Sequence, residues 1–239
     1  MDARTSAVVE ARGLGKSFGR TVVLRDLDLC VVAGESLVIF GPNGAGKSTL
    51  LRLCSTLQRP DRGSLSLFGT TEGGAGVRRR IGLLGHQSFL YPDLSARENL
   101  EFFARMYRLG DPERCASAWL ARVALESAGT RPVRVFSRGM EQRLGLARAL
   151  LHDPELILLD EPWSGLDAEA ADLLSALLQG LRRERRTLIV ATHDFERGAT
   201  VADRALILHG GRIAWATSAG EAPRALDAIY RRITGAVAA

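Results

Sequence analysis

The nine residues Gly41, Pro42, Asn43, Gly44, Ala45, Gly46, Lys47, Ser48 and Thr49 constrain this chain more than any other feature. They follow the apolar run Ser36–Phe40, read as a strand, and open a helical stretch from Lys47 to Leu57. Strand, glycine loop and helix are the setting in which the pattern G-x-x-x-x-G-K-[ST] binds a nucleoside triphosphate. Glycines let the main chain wrap closely around phosphate oxygens, and the helix N-terminus adds positive potential. In that arrangement Lys47 reaches the β- and γ-phosphates and the Ser48 hydroxyl ligates Mg²⁺. The expected ligands are ATP and Mg²⁺.

An acidic partner lies far downstream. Leu156–Leu159 reads as a buried parallel strand, and Asp160 and Glu161 follow it. Asp160, at the carboxyl end of that strand, is expected beside the phosphate loop, holding Mg²⁺ through water. Glu161 is then placed to take a proton from an attacking water, as a general base.

The rest of the chain reads as an α/β protein. Strands are expected at Val8–Ala11, Val22–Val32, Ser64–Phe68 and Ile81–Gly85. Three helices follow: one opened by the capping-box spacing Ser95 to Glu98, one by Asp111-Pro112, and one over Arg138 to Leu151. Alternation then resumes with a helix over Ala168–Arg183 and strands at Thr187–Ala191, Ala205–Leu208 and Arg212–Ala216. The expected organisation is one domain. Residues 1–88 and 152–239 form a mostly parallel sheet core, and residues 89–151 form an inserted helical subdomain.

Composition excludes several alternatives. With 46% hydrophobic and 25% charged residues the chain is globular rather than disordered. No apolar run approaches the ~18–20 residues of a membrane span, and residues 1–10 carry no signal-like core. These point to a soluble, cytosolic chain. Cys30, Cys54 and Cys115 are widely spaced and read as reduced thiols in apolar segments. Of 32 basic residues only Lys16 and Lys47 are lysine. The arginines are scattered, so a net charge of +5 is no argument for nucleic acid.

Further motifs occur in a telling order. Gln87 follows Ile81–Gly85; Ser137-Arg-Gly139-Met-Glu-Gln-Arg opens the third inserted helix; Ser164-Gly-Leu-Asp167 follows Glu161-Pro162; Ala-Thr-His193-Asp follows Thr187. Together they resemble the ATP-binding cassette (ABC) ATPases over about Val8 to Ala216. The resemblance implies an ABC-type fold with an N-terminal antiparallel β subdomain. It implies that Phe18 stacks on adenine and that Gln87 sits near Mg²⁺ and the lytic water. It implies that Ser137 and Gly139 cap the γ-phosphate of ATP held by a second subunit, and a Ser-capped helix N-terminus is physically suited to an anion. His193 would bond the γ-phosphate and orient Glu161, and Asp167 would cross the dimer interface. The remaining histidines, His86, His152 and His209, are expected to be structural or exposed.

The chain departs from the family where L-S-G-G-Q is usual: it reads Phe136-Ser137-Arg138-Gly139-Met140. Trp163 is also unusual. As a family-level implication, the chain is the ATPase subunit of an exporter, peripheral on the cytoplasmic face of the inner membrane. Its partners would be a second copy, closed around ATP, and integral membrane permease subunits, with no direct nucleic-acid contact. Gly85-His86-Gln87, Leu94 to Leu100 and Thr192 to Gly198 resemble haem exporters of cytochrome c maturation. Drug, antibiotic and polysaccharide exporters, and soluble ABC ATPases acting on DNA or ribosomes, remain open at this point.

Overall fold

A computed structural model describes residues 7–217 and 226–235. Strands β1 (Ala7–Phe18), β2 (Thr21–Val32) and β4 (Arg62–Leu67) form an antiparallel sheet in the order β2-β1-β4. Strands β3 (Ser36–Phe40), β5 (Ile81–Leu84), β6 (Leu156–Asp160), β7 (Thr187–Thr192), β8 (Arg204–His209) and β9 (Arg212–Ala216) form the second sheet. Its order is β5-β6-β7-β3-β8-β9, parallel except for β9, which returns beside β8.

Helix α1 (Lys47–Cys54) leaves β3 and packs on β6 and β7. Short α2 (Ala75–Arg78) precedes β5. Helices α3 (Ala96–Met106), α4 (Pro112–Arg122) and α5 (Arg138–Leu150) make the inserted block, with two 3₁₀ turns at Glu126–Ala128 and Val133–Val135. Helices α6 (Ala168–Arg183), α7 (Phe195–Val201) and α8 (Leu226–Thr234) complete the described chain.

Alternation along the central strands sorts the core into two layers. Leu37, Ile39, Leu156, Leu158 and Ile189 face α1 and the antiparallel sheet. Val38, Phe40, Ile157, Leu159 and Val190 face α6 and its neighbours. Both faces are covered, which is why these strands read as continuous apolar runs. Each fully buried Leu or Ile contributes about 1.5–3 kcal/mol relative to exposure. The helical block has its own cluster, including Leu100, Leu120, Leu125 and Leu144.

Local capping follows the sequence. Ser95 accepts from the Glu98 amide at 3.2 Å, and Glu98 accepts from the Ser95 amide at 2.7 Å. Asp111 accepts from the Arg114 amide ahead of Pro112. The short α2 has no counterpart in the expectations, and β1 and α1 differ most in length. β1 runs on to Phe18, because register shifts between Ala11 and Leu14, where Gly13 has a φ of +56°, interrupt the alternation without ending the strand. α1 stops at Cys54, before Thr56 turns left-handed at φ 62°. Of the cysteines, Cys54 is buried, which pushes its thiol up to about 12, and Cys115 is half-buried. Cys30 lies exposed on the outer side of β2, not in an apolar environment.

His152 is structural. Its ring stacks on Tyr107 at 3.9 Å, and Nε2 donates to the Ile81 carbonyl at 3.1 Å. Burial lowers its pKa from 6.5 to about 4, against the Ile81 bond, and the charges of Arg148 and Arg79 lower it further. Between those two values the unfolded chain binds a proton that the folded chain refuses, so stability falls as pH drops through that window. The expected loss is about 1–2 kcal/mol at pH 5. Thermal unfolding from pH 7.5 to pH 5 should show a smaller drop in Tm for His152→Phe; equal drops in both proteins would exclude this group as the cause.

Candidate active site

β3 lies between β7 and β8, so its carboxyl end opens at mid-sheet, where open parallel sheets form ligand sites. The turn there is tight. A Cβ on Gly41 would come within 2.4 Å of the Leu208 carbonyl oxygen, and Gly46, the N-cap of α1, has a φ of +107°. Lys47, on the first turn of α1, is buried. Its Nζ donates to the carbonyls of Gly41 at 2.6 Å and Pro42 at 3.4 Å, and lies 3.5 Å from Glu161 Oε1.

Glu161 is the first residue after β6. Its φ of +49° is left-handed, a conformation that costs a side-chain-bearing residue on the order of 1 kcal/mol. Its amide donates to the Ala191 carbonyl at 2.8 Å, which fixes it against the end of β7. Glu161 Oε2 accepts from His193 Nδ1 at 2.8 Å and from the His193 amide at 3.3 Å. One carboxylate is thus held between an ammonium and an imidazole, at the mouth of the sheet.

Asp160 ends β6 and is buried. Burial pushes its carboxyl above the usual carboxylate range, while the Ser48 hydroxyl and the Lys47 charge oppose that shift. Its Oδ1 is buried without a hydrogen-bond partner among the described residues. Ser48, Gln87 and Asp160 line one cavity of about 380 Å³ together with Arg52 and Phe89. A hydroxyl, an amide and an orphaned buried carboxylate oxygen are the hard donor set that suits Mg²⁺. The larger cavity, about 810 Å³, lies at the other end of α1 between Thr56, β4 and Gly73, and holds none of the expected site residues.

Ser137, Gly139 and Asp167 form a second group. Ser137 caps α5, its hydroxyl accepting from the Met140 amide at 3.3 Å. Arg138 is exposed, and its aliphatic stem lies across Gly165, where a Cβ would come within 2.7 Å of Arg138 Cδ. Its guanidinium lies 3.5 Å from the Ser164 hydroxyl. Leu166 is the nearest side chain to Gly139, and Asp167 caps α6 through the Ala170 amide at 2.8 Å. Gln142 links the two groups by donating to the Pro162 carbonyl at 3.1 Å. Phe18, at the end of β1, is 46% exposed, with Lys16 Nζ 5.7 Å from its ring centre.

A profile of the family described as ABC transporter matches residues 24–164. The chain belongs to the ABC transporter family. The ABC chain is 37% identical over 195 residues to the ABC transporter ATP-binding protein NatA of Bacillus subtilis, covering 80% of this chain and 79% of NatA. It is 39% identical over 211 residues to the Nod factor export ATP-binding protein I of Cupriavidus pinatubonensis. That match covers 87% of this chain but 65% of the relative, so the chain spans just under two thirds of that protein's length. The daunorubicin resistance ATP-binding protein DrrA3 of Streptomyces coeruleorubidus is 40% identical over 209 residues, with 84% of this chain and 65% of the relative covered.

Solved structures agree on the fold of the ABC chain. The cassette MJ0796, solved as a dimer in a post-hydrolysis state bound to ADP and Pi, superposes with a TM-score of 0.81 at 27% identity. It covers 88% of this chain and 98% of its own. An ATP-binding subunit of an ABC transporter superposes at 0.84 with 28% identity, over 95% and 99%.

Two residues that sequence reasoning left without a role now have one. Trp163 is buried, and its Nε1 donates to the Ser175 hydroxyl at 3.0 Å, so it pins the turn after Glu161 to α6. Lys16 donates to the Arg59 carbonyl and to Asp61, both at 2.8 Å, and so fixes the strand end that presents Phe18. A lysine kept in an arginine-rich chain was the available signal for Lys16.

Proposed function

We propose that this chain is the ATP-binding and hydrolysing subunit of an ABC exporter, working as a pair closed around ATP and driving separate integral membrane subunits. The observation that carries the reading is Glu161, held between Lys47 and His193 at the end of the phosphate-loop sheet. Gly41 to Thr49 would cradle the phosphates, with Lys47 exchanging its loop carbonyls for phosphate oxygens. Ser48, Asp160 and Gln87 would hold Mg²⁺, which when bound neutralises charge building on the phosphates. Glu161 accepts a proton from water as the water oxygen bonds to the γ-phosphorus. The bond to the β–γ bridging oxygen breaks, leaving ADP and phosphate. His193 orients Glu161 through Nδ1 and, with both ring nitrogens bearing hydrogen, would donate from Nε2 to the γ-phosphate. Phe18 would stack on adenine.

Ser137, Gly139 and Asp167 would act on the nucleotide of a second copy, a reading supported by the contacts of Gly139 with Leu166 and of Arg138 with Gly165, which bring the start of α5 against the turn before Asp167. Phe89 and Tyr91, both about half exposed beside Gln87, would meet the membrane subunits. The subunit would then be peripheral on the cytoplasmic face; no helix among the described residues is long and apolar enough to cross a membrane. Two of the three relatives carry Nod factor export and daunorubicin resistance in their names. They favour an exporter of that kind and give the haem reading no support.

Mixing subunits tests the shared site. Ser137→Arg and Lys47→Ala proteins should each fail to hydrolyse ATP alone. Their mixture should regain one working site per mixed dimer. A mixture no more active than its parents would refute sharing across an interface.

A further inference from the structure

The helix that Ser137 caps also grips the segment on either side of Gln87. Glu141, Gly145 and Arg148 follow one another at helical spacing, so they form one stripe of α5. The Ser88 hydroxyl donates to Glu141 Oε1 at 2.6 Å. At Gly145 a Cβ would come within 3.0 Å of Leu84 Cδ1 and 3.7 Å of Ser88 Cβ, so helix and segment are as close as a missing side chain allows. Arg148 donates to the Leu83 carbonyl, and its guanidinium lies 5.5 Å from the ring centres of both Phe89 and Phe103. Residues 83, 84, 88 and 89 are all held, and Gln87 lies between them.

Stability is a poor account of Arg148. The residue is buried, and its Nε has no hydrogen-bond partner among the described residues. Burial pulls its pKa down to about 10, which still leaves it charged at neutral pH. A buried cation with an orphaned donor is less stable than a well-packed apolar side chain of the same volume. Phe89 also needs an anchor. It is left-handed at φ 55° and about half exposed, so neither backbone preference nor burial keeps its ring in place.

We propose that Arg148, assisted by Glu141, is a positioning residue for Gln87. It sets the Gln87 segment by the placement of the helix whose N-terminus would meet the second subunit's nucleotide. The proposal rests on the roles proposed above for Gln87 and Ser137. Leu83 is fixed in β5 by its pairing with β6, so the Arg148 bond sets where α5 sits on the sheet, and displacement of α5 would carry Ser88 and Phe89 with it; Gln87 reaches its working position only when α5 does.

Steady-state ATPase kinetics of the full chain test it. Arg148→Met is expected to lower kcat about tenfold, in line with losses on removing a supporting partner, with KM for ATP nearly unchanged. Glu141→Ala, which loses only the half-buried bond to Ser88, should show the same pattern more weakly and guards against a misfolded Arg148→Met. Arg148→Lys can still donate to the Leu83 carbonyl and lie by the rings, so it should recover most of kcat. Gln87→Ala should lower kcat too, and adding Arg148→Met to it should cost little more, because both act through one group. Losses that multiply in the double variant overturn the proposal alone. So does wild-type kcat in both Arg148→Met and Glu141→Ala, or a KM that rises in step with the fall in kcat. Wild-type kcat in Gln87→Ala overturns the role of Gln87 and the proposal with it.

Discussion

Glu161→Gln is expected to slow single-turnover ATP hydrolysis by about a hundred- to ten-thousand-fold while leaving ATP bound at least as tightly as before. The amide cannot accept the proton that the water must lose. Its oxygen still accepts from His193, so the site keeps its shape. What changes is the 3.5 Å contact with Lys47, which loses its charge attraction. Lys47 is then more easily drawn to phosphate, and affinity does not fall. Trapped ATP should also hold two subunits together, giving a dimer in light scattering with Mg²⁺-ATP. A single-turnover rate equal to that of the native chain would remove Glu161 from the base role.

Lys47→Ala should do the reverse and strike binding first. The ammonium is buried on three oxygens, two of them loop carbonyls and the third that of Glu161. Without it, phosphate charge would meet the Glu161 carboxylate with no cation between them. Removing one partner from a buried charged contact costs about 2–5 kcal/mol, a loss of roughly thirty- to several-thousand-fold in affinity. Equilibrium binding of a labelled nucleotide measures it. Affinity within twofold of the native value would sink the phosphate-loop reading of Gly41 to Thr49.

What could be read from residues alone was whatever local chemistry decides. The strand–glycine turn–helix unit of β3 and α1, the Ser95–Glu98 capping box, the proline-led α4 and the apolar run ending in Asp160 depend on a few neighbouring positions, and all appear where expected. The contact of Glu161 with His193 spans 32 residues and rested on family resemblance, yet it is present at 2.8 Å. Features set by distant packing stayed hidden. β1 outlasts its glycines because β2 and β4 flank it on both sides, and no window of β1 contains that information. Arg148 looks like any helix arginine until β5 and the Phe89 ring are placed around it. Arg138 is exposed, yet its stem lies over Gly165, since the space for it is made by a glycine 27 positions away.

The position of β3 bears on how the chain can be made. Its two neighbours, β7 and β8, span Thr187–Thr192 and Arg204–His209, long after the loop it carries has left the ribosome. A nascent chain ending at residue 186 has the whole Gly41–Thr49 segment and the small sheet of β1, β2 and β4, but nothing to flank β3. Such late, non-local pairing is slow and leaves apolar strand edges open in the meantime. Gly41 meets the Leu208 carbonyl only when nearly all of the described chain has been synthesised. Nucleotide capture thus waits for β7 and β8, although the loop itself leaves the ribosome more than a hundred residues before them.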